Sequence, residues 1–133
     1  EITERASLDG VHDVAGHIRR LRSMGFQIAL DDLGAGYAGL TTFSRLEPDV
    51  AKLDISLVRH IHLDPRRQTI VRAMIELCDD LGTLVVAEGV ESIEERDTLC
   101  ELGCDLVQGF LFAEPSRGFP APAASAIVPS SHR

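Results

Sequence analysis

Residues 28–37 read Ile-Ala-Leu-Asp-Asp-Leu-Gly-Ala-Gly-Tyr, and this stretch decides the fold. Its apolar start predicts a short buried strand of a parallel sheet. Two adjacent carboxylates, Asp31 and Asp32, end the strand before a Gly-x-Gly turn, at the edge where parallel α/β proteins place their chemistry. Because adjacent carboxylates repel each other, the pair calls for a compensating cation, metal or lysine, and a divalent metal is the first expectation. The structural alternative is that Asp32 caps the turn and Asp31 is solvated.

Apolar periodicity and capping signals divide the rest of the chain into alternating helices and strands. The connections are short enough for right-handed parallel crossovers. The chain begins with a predicted frayed strand over residues 1–7 that leads into an N-cap at Ser7, followed by a helix from Leu8 to a C-cap at Gly25. After the strand described above, the sequence predicts a short helical or irregular segment over 38–46, a strand over 50–55 and a helix from an N-cap at Asp64 to Gly82. The last predicted elements are a strand over 83–91, a helix from a capping box of Ser92 and Glu95 to Gly103, and a strand over 106–112.

The polar residues near the strand ends distinguish two parallel architectures. A doubly wound sheet gathers its ligand groups at one switch point, whereas a barrel places them at the ends of all its strands. Here each predicted strand offers polar groups at or near its carboxyl end: Asp31 and Asp32, Lys52 and Asp54, Glu88 and Glu91, and Gln108. A barrel explains this pattern better than a doubly wound sheet does. Because a whole eight-stranded barrel needs about 250 residues, we expect these 133 residues to be an α/β fold that forms half of one.

Composition restricts the classes of function. The 133 residues are 44% hydrophobic, which suffices for one small domain, and the net charge of −8 comes without any long run of Lys or Arg. We therefore expect no binding to a nucleic-acid polymer and no direct membrane contact. The three cysteines match no disulfide framework, which favours reduced thiols and a cytoplasmic domain, whose parent protein can still be membrane-anchored elsewhere. Residues 120–133, rich in Pro, Ala and Ser, are expected to form a disordered tail or linker.

Carboxylates, one lysine and one amide converging on one sheet edge favour hard cations such as Mg²⁺ or Mn²⁺. Two such ions a few ångström apart can activate a water and stabilise a leaving oxygen in phosphodiester cleavage. Lys52 could orient that water or neutralise charge. His60 and His62 suggest a separate metal pair, but buried or solvated histidines without a third ligand are the commoner case.

Five motifs follow one another along the chain: Glu1-Ile-Thr-Glu4, Asp31-Asp32-Leu33-Gly34-Ala35-Gly36-Tyr37, Lys52-Leu53-Asp54, Val86-Ala87-Glu88-Gly89-Val90-Glu91 and Gln108-Gly109-Phe110. In order and spacing they resemble the motifs of the C-terminal half of the EAL domain family. The resemblance covers residues 1 to about 119 and implies the last four strands of a modified TIM barrel. It also implies hydrolysis of cyclic di-GMP to linear 5′-pGpG with two Mg²⁺ or Mn²⁺ ions, in bacterial second-messenger signalling.

The resemblance assigns roles residue by residue. It implies a catalytic set of Lys52, Glu88 and Gln108, with Lys52 contacting the attacking water and Gln108 near the metals or their water ligands. It implies a metal-binding set of Glu1, Asp31, Asp32 and Glu88, in which Asp31 bridges both ions, and it makes Glu91 the anchor of the loop over residues 33–40. Asp54 is expected to be structural or close to a phosphate, and Glu4 to be solvated.

Two departures from the family pattern bear on activity. The Glu-Ala-Leu signature and a metal-binding asparagine belong to earlier strands and are not among these residues, so the 133 residues alone are expected to be inactive. The loop carries Leu33, Ala35 and Ala38-Gly39 where active members more often have Phe, Thr and Ser-Ser. A catalytically inactive domain that binds cyclic di-GMP is therefore the alternative function. A phosphorylatable receiver domain fits less well, because Lys52 precedes Asp54 in the very next strand instead of following a separate acceptor aspartate.

A half barrel exposes the apolar inner face of its strands and two unpaired sheet edges. We therefore expect these residues to fold properly only with the missing N-terminal half of the barrel or with a second copy. A homodimer is the expected assembly, and cyclic di-GMP is the expected ligand.

Overall fold

The computed structural model describes residues 1–3, 10–36 and 39–118. Five parallel strands form one sheet in the order of the chain, β1 to β5. The strands are β1 (Ile2–Thr3), β2 (Ala29–Leu33), β3 (Val50–Leu53), β4 (Leu84–Ala87) and β5 (Leu106–Val107). The helices are α1 (Val14–Ser23), α2 (Gly39–Leu46), α3 (Ile55–Val58), α4 (Pro65–Asp80) and α5 (Ile93–Glu101), with a 3₁₀ turn at Ile61–Leu63.

The strand order confirms the predicted architecture. Consecutive strands pair in parallel all along the sheet, and the order never reverses as it does at the switch point of a doubly wound sheet. β1 and β5 leave two open edges in the described part of the chain. The fold is therefore α/β with a five-stranded parallel sheet, as in part of a TIM barrel.

Alternation along β3 separates core from site. Ala51 and Leu53 are completely buried, whereas Lys52 between them is partly exposed, since successive strand residues face opposite sides of the sheet. The core also receives completely buried residues from β2, β4, α4 and α5: Leu30, Ala87, Val71 and Leu99. Burial of one face of the sheet against the helices leaves the other face free to carry Lys52.

A bulge interrupts β2 at the two aspartates. Leu30 pairs with Ala51 and Leu33 with Leu53, so Asp31 and Asp32 together face Lys52. Asp32 has a left-handed backbone, with φ of 59°. Bulges of this kind redirect a side chain and are common beside functional sites. The bulge explains how two adjacent acids reach the same region although strict alternation would place them on opposite faces.

The helix beginning at Leu8 was predicted too early. Residues 10–13 are not helical, and α1 begins at Val14 because the Asp13 side chain accepts a hydrogen bond from the Gly16 N–H at 3.0 Å. The predicted N-cap, Ser7, lies outside the described residues. The C-terminal end is close to the prediction, since Gly25 directly follows the C-cap with φ of 88°.

The two later helices agree with the sequence pattern. Asp64 caps α4 with Pro65 in the first turn. Ser92 and Glu95 form the predicted capping box of α5.

The predicted strands, however, were too long. β3 ends at Leu53 because the Asp54 side chain accepts from the Ser56 N–H at 2.9 Å and starts α3, a helix that the sequence pattern did not predict.

β4 and β5 also end earlier than predicted. Residues 88–91 form a loop after β4, and the chain bends after Gln108. A Cβ added to Gly109 would lie 2.1 Å from the Val90 carbonyl oxygen, so only glycine allows this close approach of two backbones. The predicted tail over residues 120–133 lies outside the described residues. No helix in the described part of the chain is long and apolar enough to cross a membrane.

Candidate functional site

Lys52 is the centre of the candidate site. Its ammonium nitrogen lies 2.8 Å from Glu88 Oε1, 3.1 Å from Asp31 Oδ1 and 3.2 Å from Glu1 Oε1. The Lys52 side chain is 14% exposed, and those of Asp31 and Glu88 are about one-fifth exposed, at 22% and 20%. The structure therefore brings together three of the predicted carboxylates around the predicted lysine. We call these four residues the Lys52 cluster.

The backbone fixes where the polar residues after each strand lie. The Asp54 N–H donates to Leu33, the Glu88 N–H to Leu53 and the Gln108 N–H to Ala87, at 2.8 to 3.3 Å. Each of these polar residues is thus bonded to the last residue of the preceding strand. This repeated arrangement places the predicted residues of β3, β4 and β5 at one edge of the sheet. It confirms that they lie at the carboxyl ends of neighbouring strands.

The three carboxylates keep the lysine protonated. Burial lowers the pKa of Lys52, but the contacts with Glu88, Asp31 and Glu1 raise it by more, so its pKa lies above the usual value. A lysine in this state is an electrostatic group and a hydrogen-bond donor at neutral pH, and it cannot accept a proton from a water molecule. The compensating cation predicted for Asp31 is, in this structure, Lys52.

The fit of this cluster to a metal ion follows from its donors. Carboxylate oxygens suit Mg²⁺ and Mn²⁺. The buried Asp31 Oδ1 forms an ion pair with Lys52 but has no hydrogen bond within the described residues, so it retains capacity for a cation. In the described ranges, however, no three His, Cys, Asp or Glu side chains are arranged as a preformed metal site. The residues fit a divalent cation chemically, while their present arrangement is centred on the ammonium group.

A cavity of about 340 Å³ lies beside the Lys52 cluster. Glu88 belongs to both, and the cavity is also lined by Asp32, Gln108, Asp54 and Phe110. Phe110 is 59% exposed, so its ring is accessible at this cavity. Because several carboxylates line the cavity, a phosphate-containing ligand needs cations to bind there. Asp32 and Gln108 thus lie near the cluster without contacting Lys52 in the described structure.

The Glu91 carboxylate pairs with the guanidinium of Arg59, at the C-terminal end of α3. Glu91 Oε1 accepts from Arg59 Nη2 at 2.5 Å, and the same contact lowers the pKa of Glu91 and raises that of Arg59. The sequence pattern assigned Glu91 to the loop over residues 33–40. Residues 37 and 38 of that loop are outside the described part, and the anchoring role of Glu91 stays a prediction.

Sequence reasoning missed the extent of the Glu95 contacts. Its side chain is 1% exposed and accepts from the backbone N–H groups of His60 at 2.8 Å, Glu91 at 2.9 Å and Ser92 at 3.3 Å. Burial raises the pKa of Glu95, but these hydrogen bonds and the charge of Arg59 outweigh it, and the pKa falls below its usual value. The capping pattern predicted only the contact with Ser92. A bond to His60, 35 residues away, has no local signal in the sequence.

The two histidines of the 3₁₀ region form a ring contact. The His60 and His62 ring centroids are 6.3 Å apart in an edge-to-face arrangement. Within the described residues no third ligand joins them in a metal-binding group. A metal-binding role for this pair stays an untested prediction.

The EAL domain family model matches residues 1–115. A curated relative, the cyclic di-GMP phosphodiesterase RocR of Pseudomonas aeruginosa, is 39% identical over 115 residues, which are 86% of this chain and 29% of RocR. The chain therefore spans less than a third of the length of that relative. The family match includes all four residues of the Lys52 cluster and the residues that line the cavity.

Two solved structures extend the comparison to bound ligands. BlrP1 of Klebsiella pneumoniae, in a complex with manganese and cyclic di-GMP, is 43% identical with a TM-score of 0.79, over 85% of this chain and 29% of that chain. A standalone EAL protein of Vibrio cholerae O395, in its cyclic di-GMP-bound form, is 35% identical with a TM-score of 0.83. The match covers 95% of this chain and 54% of that protein's chain. The matched family, these relatives and the partial parallel barrel agree: the chain belongs to the EAL domain family.

Proposed function

We propose that the protein carrying this chain is a metal-dependent phosphodiesterase that hydrolyses cyclic di-GMP to linear 5′-pGpG in bacterial second-messenger signalling. The observation that carries the proposal is the Lys52 cluster, in which carboxylates at β1, β2 and β4 converge on one ammonium group. Relatives named as phosphodiesterases and relatives solved with cyclic di-GMP support the choice of reaction and substrate.

The charge and the position of each site residue indicate its role in the proposed reaction. Glu1, Asp31, Asp32 and Glu88 would hold two Mg²⁺ or Mn²⁺ ions, which supply a polarised water and stabilisation of the leaving oxygen when bound. Lys52 keeps a fixed positive charge beside Glu88 and Asp31 and donates hydrogen bonds to the attacking water or a phosphate oxygen. The Gln108 amide orients the same ligands from the neighbouring strand end.

The assembly and location belong to the same proposal. β1 and β5 are the open edges at which the N-terminal half of the barrel would add its strands, and the 133 residues alone are proposed to be inactive. We propose that the complete protein works as a homodimer and that this domain lies in the cytoplasm, where its nucleotide substrate occurs. Sedimentation of the complete protein measures its oligomeric state, and a monomer at working concentration would contradict the homodimer.

Substitutions of two cluster residues test the enzyme directly. Asp31→Asn and Glu88→Gln each remove one charge from the Lys52 cluster with little change in shape, and we expect each to abolish turnover of cyclic di-GMP by the complete protein. Glu94→Gln is the matched control, because Glu94 is exposed on the first turn of α5. Full activity of either cluster variant would refute the proposed function.

The second candidate is an inactive effector that binds cyclic di-GMP and passes the signal to a partner domain. The specific observation in its favour is that Lys52 already neutralises part of the charge of all three carboxylates. Calorimetry with cyclic di-GMP and Ca²⁺, beside a chromatographic product assay with Mn²⁺, separates the two. Tight binding with no linear product supports the effector, and linear product supports the enzyme.

A further inference from the structure

Glu95 makes more hydrogen bonds than a helix cap requires. In a capping box the acid at the third helical position accepts from the N-cap N–H, here that of Ser92. This bond is the longest of the three, at 3.3 Å, whereas the shorter ones go to Glu91 at 2.9 Å and His60 at 2.8 Å. The carboxylate is also almost fully buried, where unpaired charge is costly. Its strongest contacts therefore serve two loops outside its own helix.

One of these loops lines the cavity, and the other is joined to its lining through α3. The first is the segment 88–92, which contributes Glu88 and Glu91 to the lining. The second is the turn after α3, where His60 has a left-handed backbone with φ of 56°, and the other end of this short helix contributes Asp54 and Ile55. A shift between the two loops changes the cavity shape.

Two other contacts join segment 88–92 to α3 and its C-cap, and both involve exposed side chains. The Arg59–Glu91 pair is solvent-accessible, with side chains 31% and 43% exposed. The Ile55 side chain packs against Gly89, within 2.5 Å of the position that a Cβ would occupy there. Buried charge-assisted hydrogen bonds are stronger and more directional than either. The Glu95 bonds are therefore the main constraint on the separation of the loops.

We propose that Glu95 is a positioning residue for the ligand cavity: its buried carboxylate holds segment 88–92 against the turn after α3 and so sets the width of the cavity between Glu88 and Ile55. The inference rests on the proposed function, because it assigns the cavity to cyclic di-GMP. It goes beyond that function by making substrate affinity depend on a side chain that does not line the cavity.

The test compares three variants of the complete protein in hydrolysis of cyclic di-GMP. In Glu95→Gln the amide oxygen retains the bonds to Glu91 and Ser92, and the amide nitrogen faces the His60 N–H without accepting from it. Ser92→Ala removes the hydroxyl half of the capping box, which accepts from the Glu95 N–H at 3.2 Å, and leaves the Glu95 carboxylate intact. Glu94→Gln removes an exposed charge from the same helical turn.

We expect Glu95→Gln to raise KM about tenfold with kcat changed by less than about twofold, since loss of one buried charge-assisted bond acts on ligand binding. Ser92→Ala should lower the melting temperature and leave KM near the wild-type value. Glu94→Gln should also leave KM near the wild-type value. Equal KM values for Glu95→Gln and Ser92→Ala would overturn the inference, because Glu95 would then act only as a helix cap.

Amide exchange of the wild-type protein covers the case in which Glu95→Gln does not fold. Cyclic di-GMP with Ca²⁺ should slow exchange of the His60 and Glu91 amides more than that of Val71 in α4, and equal slowing would overturn the inference. A wild-type protein that neither binds nor hydrolyses the dinucleotide refutes the proposed function and the inference with it. An active wild type with an unaffected Glu95→Gln variant refutes the inference alone.

Discussion

The Lys52 cluster and the Glu95 node neutralise negative charge in two different ways. In the Lys52 cluster, three carboxylates share one side-chain cation. In the Glu95 node, defined by Glu95 and its bonds to the His60, Glu91 and Ser92 N–H groups, a single carboxylate is neutralised by fixed backbone dipoles. A side-chain cation can move or be joined by metal ions, whereas backbone donors cannot. The difference suggests that the first region carries the chemistry and the second region holds its framework.

Replacement of Lys52 should have the largest effect on activity. Lys52→Met leaves three carboxylates without their shared cation, and we expect kcat for cyclic di-GMP to fall about 10²- to 10³-fold, the usual cost of removing one preorganised electrostatic donor. Steady-state hydrolysis by the complete protein measures it. Arg66→Met is the matched control, since Arg66 is exposed on α4. A Lys52→Met enzyme as active as the control would end the distinction between the two regions.

A methyl group at Gly109 should disturb the framework next most strongly. The new Cβ would meet the Val90 carbonyl oxygen at 2.1 Å and the Val90 nitrogen at 2.3 Å, and neither backbone atom can rotate away. Gly109→Ala should therefore lower the free energy of unfolding by about 1–3 kcal/mol, the range for overpacking. Gly10→Ala is the control, because among the described residues no heavy atom outside its chain neighbours lies within 4 Å of the position of its Cβ. Urea unfolding that gives the same midpoint for both variants would show that segment 88–92 is not held by this contact.

Acid should weaken the Glu95 node by protonating Glu95, whereas Lys52 itself keeps its charge in acid. The pKa of Glu95 is lower in the folded protein than in the unfolded chain, so its stabilisation is complete above the unfolded pKa and is lost as the pH falls through the folded value. The pKa of Lys52 is raised, so its stabilisation is present below the unfolded pKa and lost only as the pH rises through the folded value.

Glu95→Gln should accordingly reduce the difference in unfolding free energy between pH 7 and pH 3, because the variant has no carboxylate to protonate at that position. Chemical denaturation at both pH values measures the difference, with Glu94→Gln as the control. An identical acid dependence in wild type and Glu95→Gln would contradict the role of backbone donors in the Glu95 node.

The exposed Arg59–Glu91 pair should have the smallest effect. Surface ion pairs are weakened by water and salt, so Arg59→Met should change the melting temperature less than Gly109→Ala does, and the change should shrink in 1 M salt. Thermal unfolding at low and high salt measures both. A loss larger than that of Gly109→Ala would place the main loop constraint in this pair instead of in Glu95.

The sequence predicted the parts of the molecule that depend on local chemistry. The cap of α4 at Asp64, the capping box at Ser92 and the convergence of Asp31, Lys52 and Glu88 all follow from patterns within a few residues or from the parallel topology. Parallel strands bring their carboxyl ends together whatever the details of packing. For that reason the convergence of Asp31, Lys52 and Glu88 could be predicted without a structure, whereas Glu1 was assigned only through the family resemblance.

Other features depend on contacts between distant segments. A four-residue helix such as α3 has too little periodicity to be recognised, and its capping residue Asp54 looked like the end of a strand. The pattern predicted an N-cap at Ser7, which lies outside the described residues, and did not single out Asp13, which caps the described helix α1. The bond from the His60 N–H to Glu95 spans 35 residues, so only the folded chain reveals it.

The metal-dependent product assay tests the central claim most directly. The complete protein is incubated with cyclic di-GMP and Mn²⁺ or Mg²⁺, with a parallel sample in a chelator and another containing only these 133 residues, and linear dinucleotide is separated by chromatography. We predict linear 5′-pGpG from the complete protein with metal, none with chelator and none from the 133 residues. Equal product in chelator, or no product from the complete protein with either metal, would contradict the assignment of the Lys52 cluster to metal-dependent phosphodiester hydrolysis.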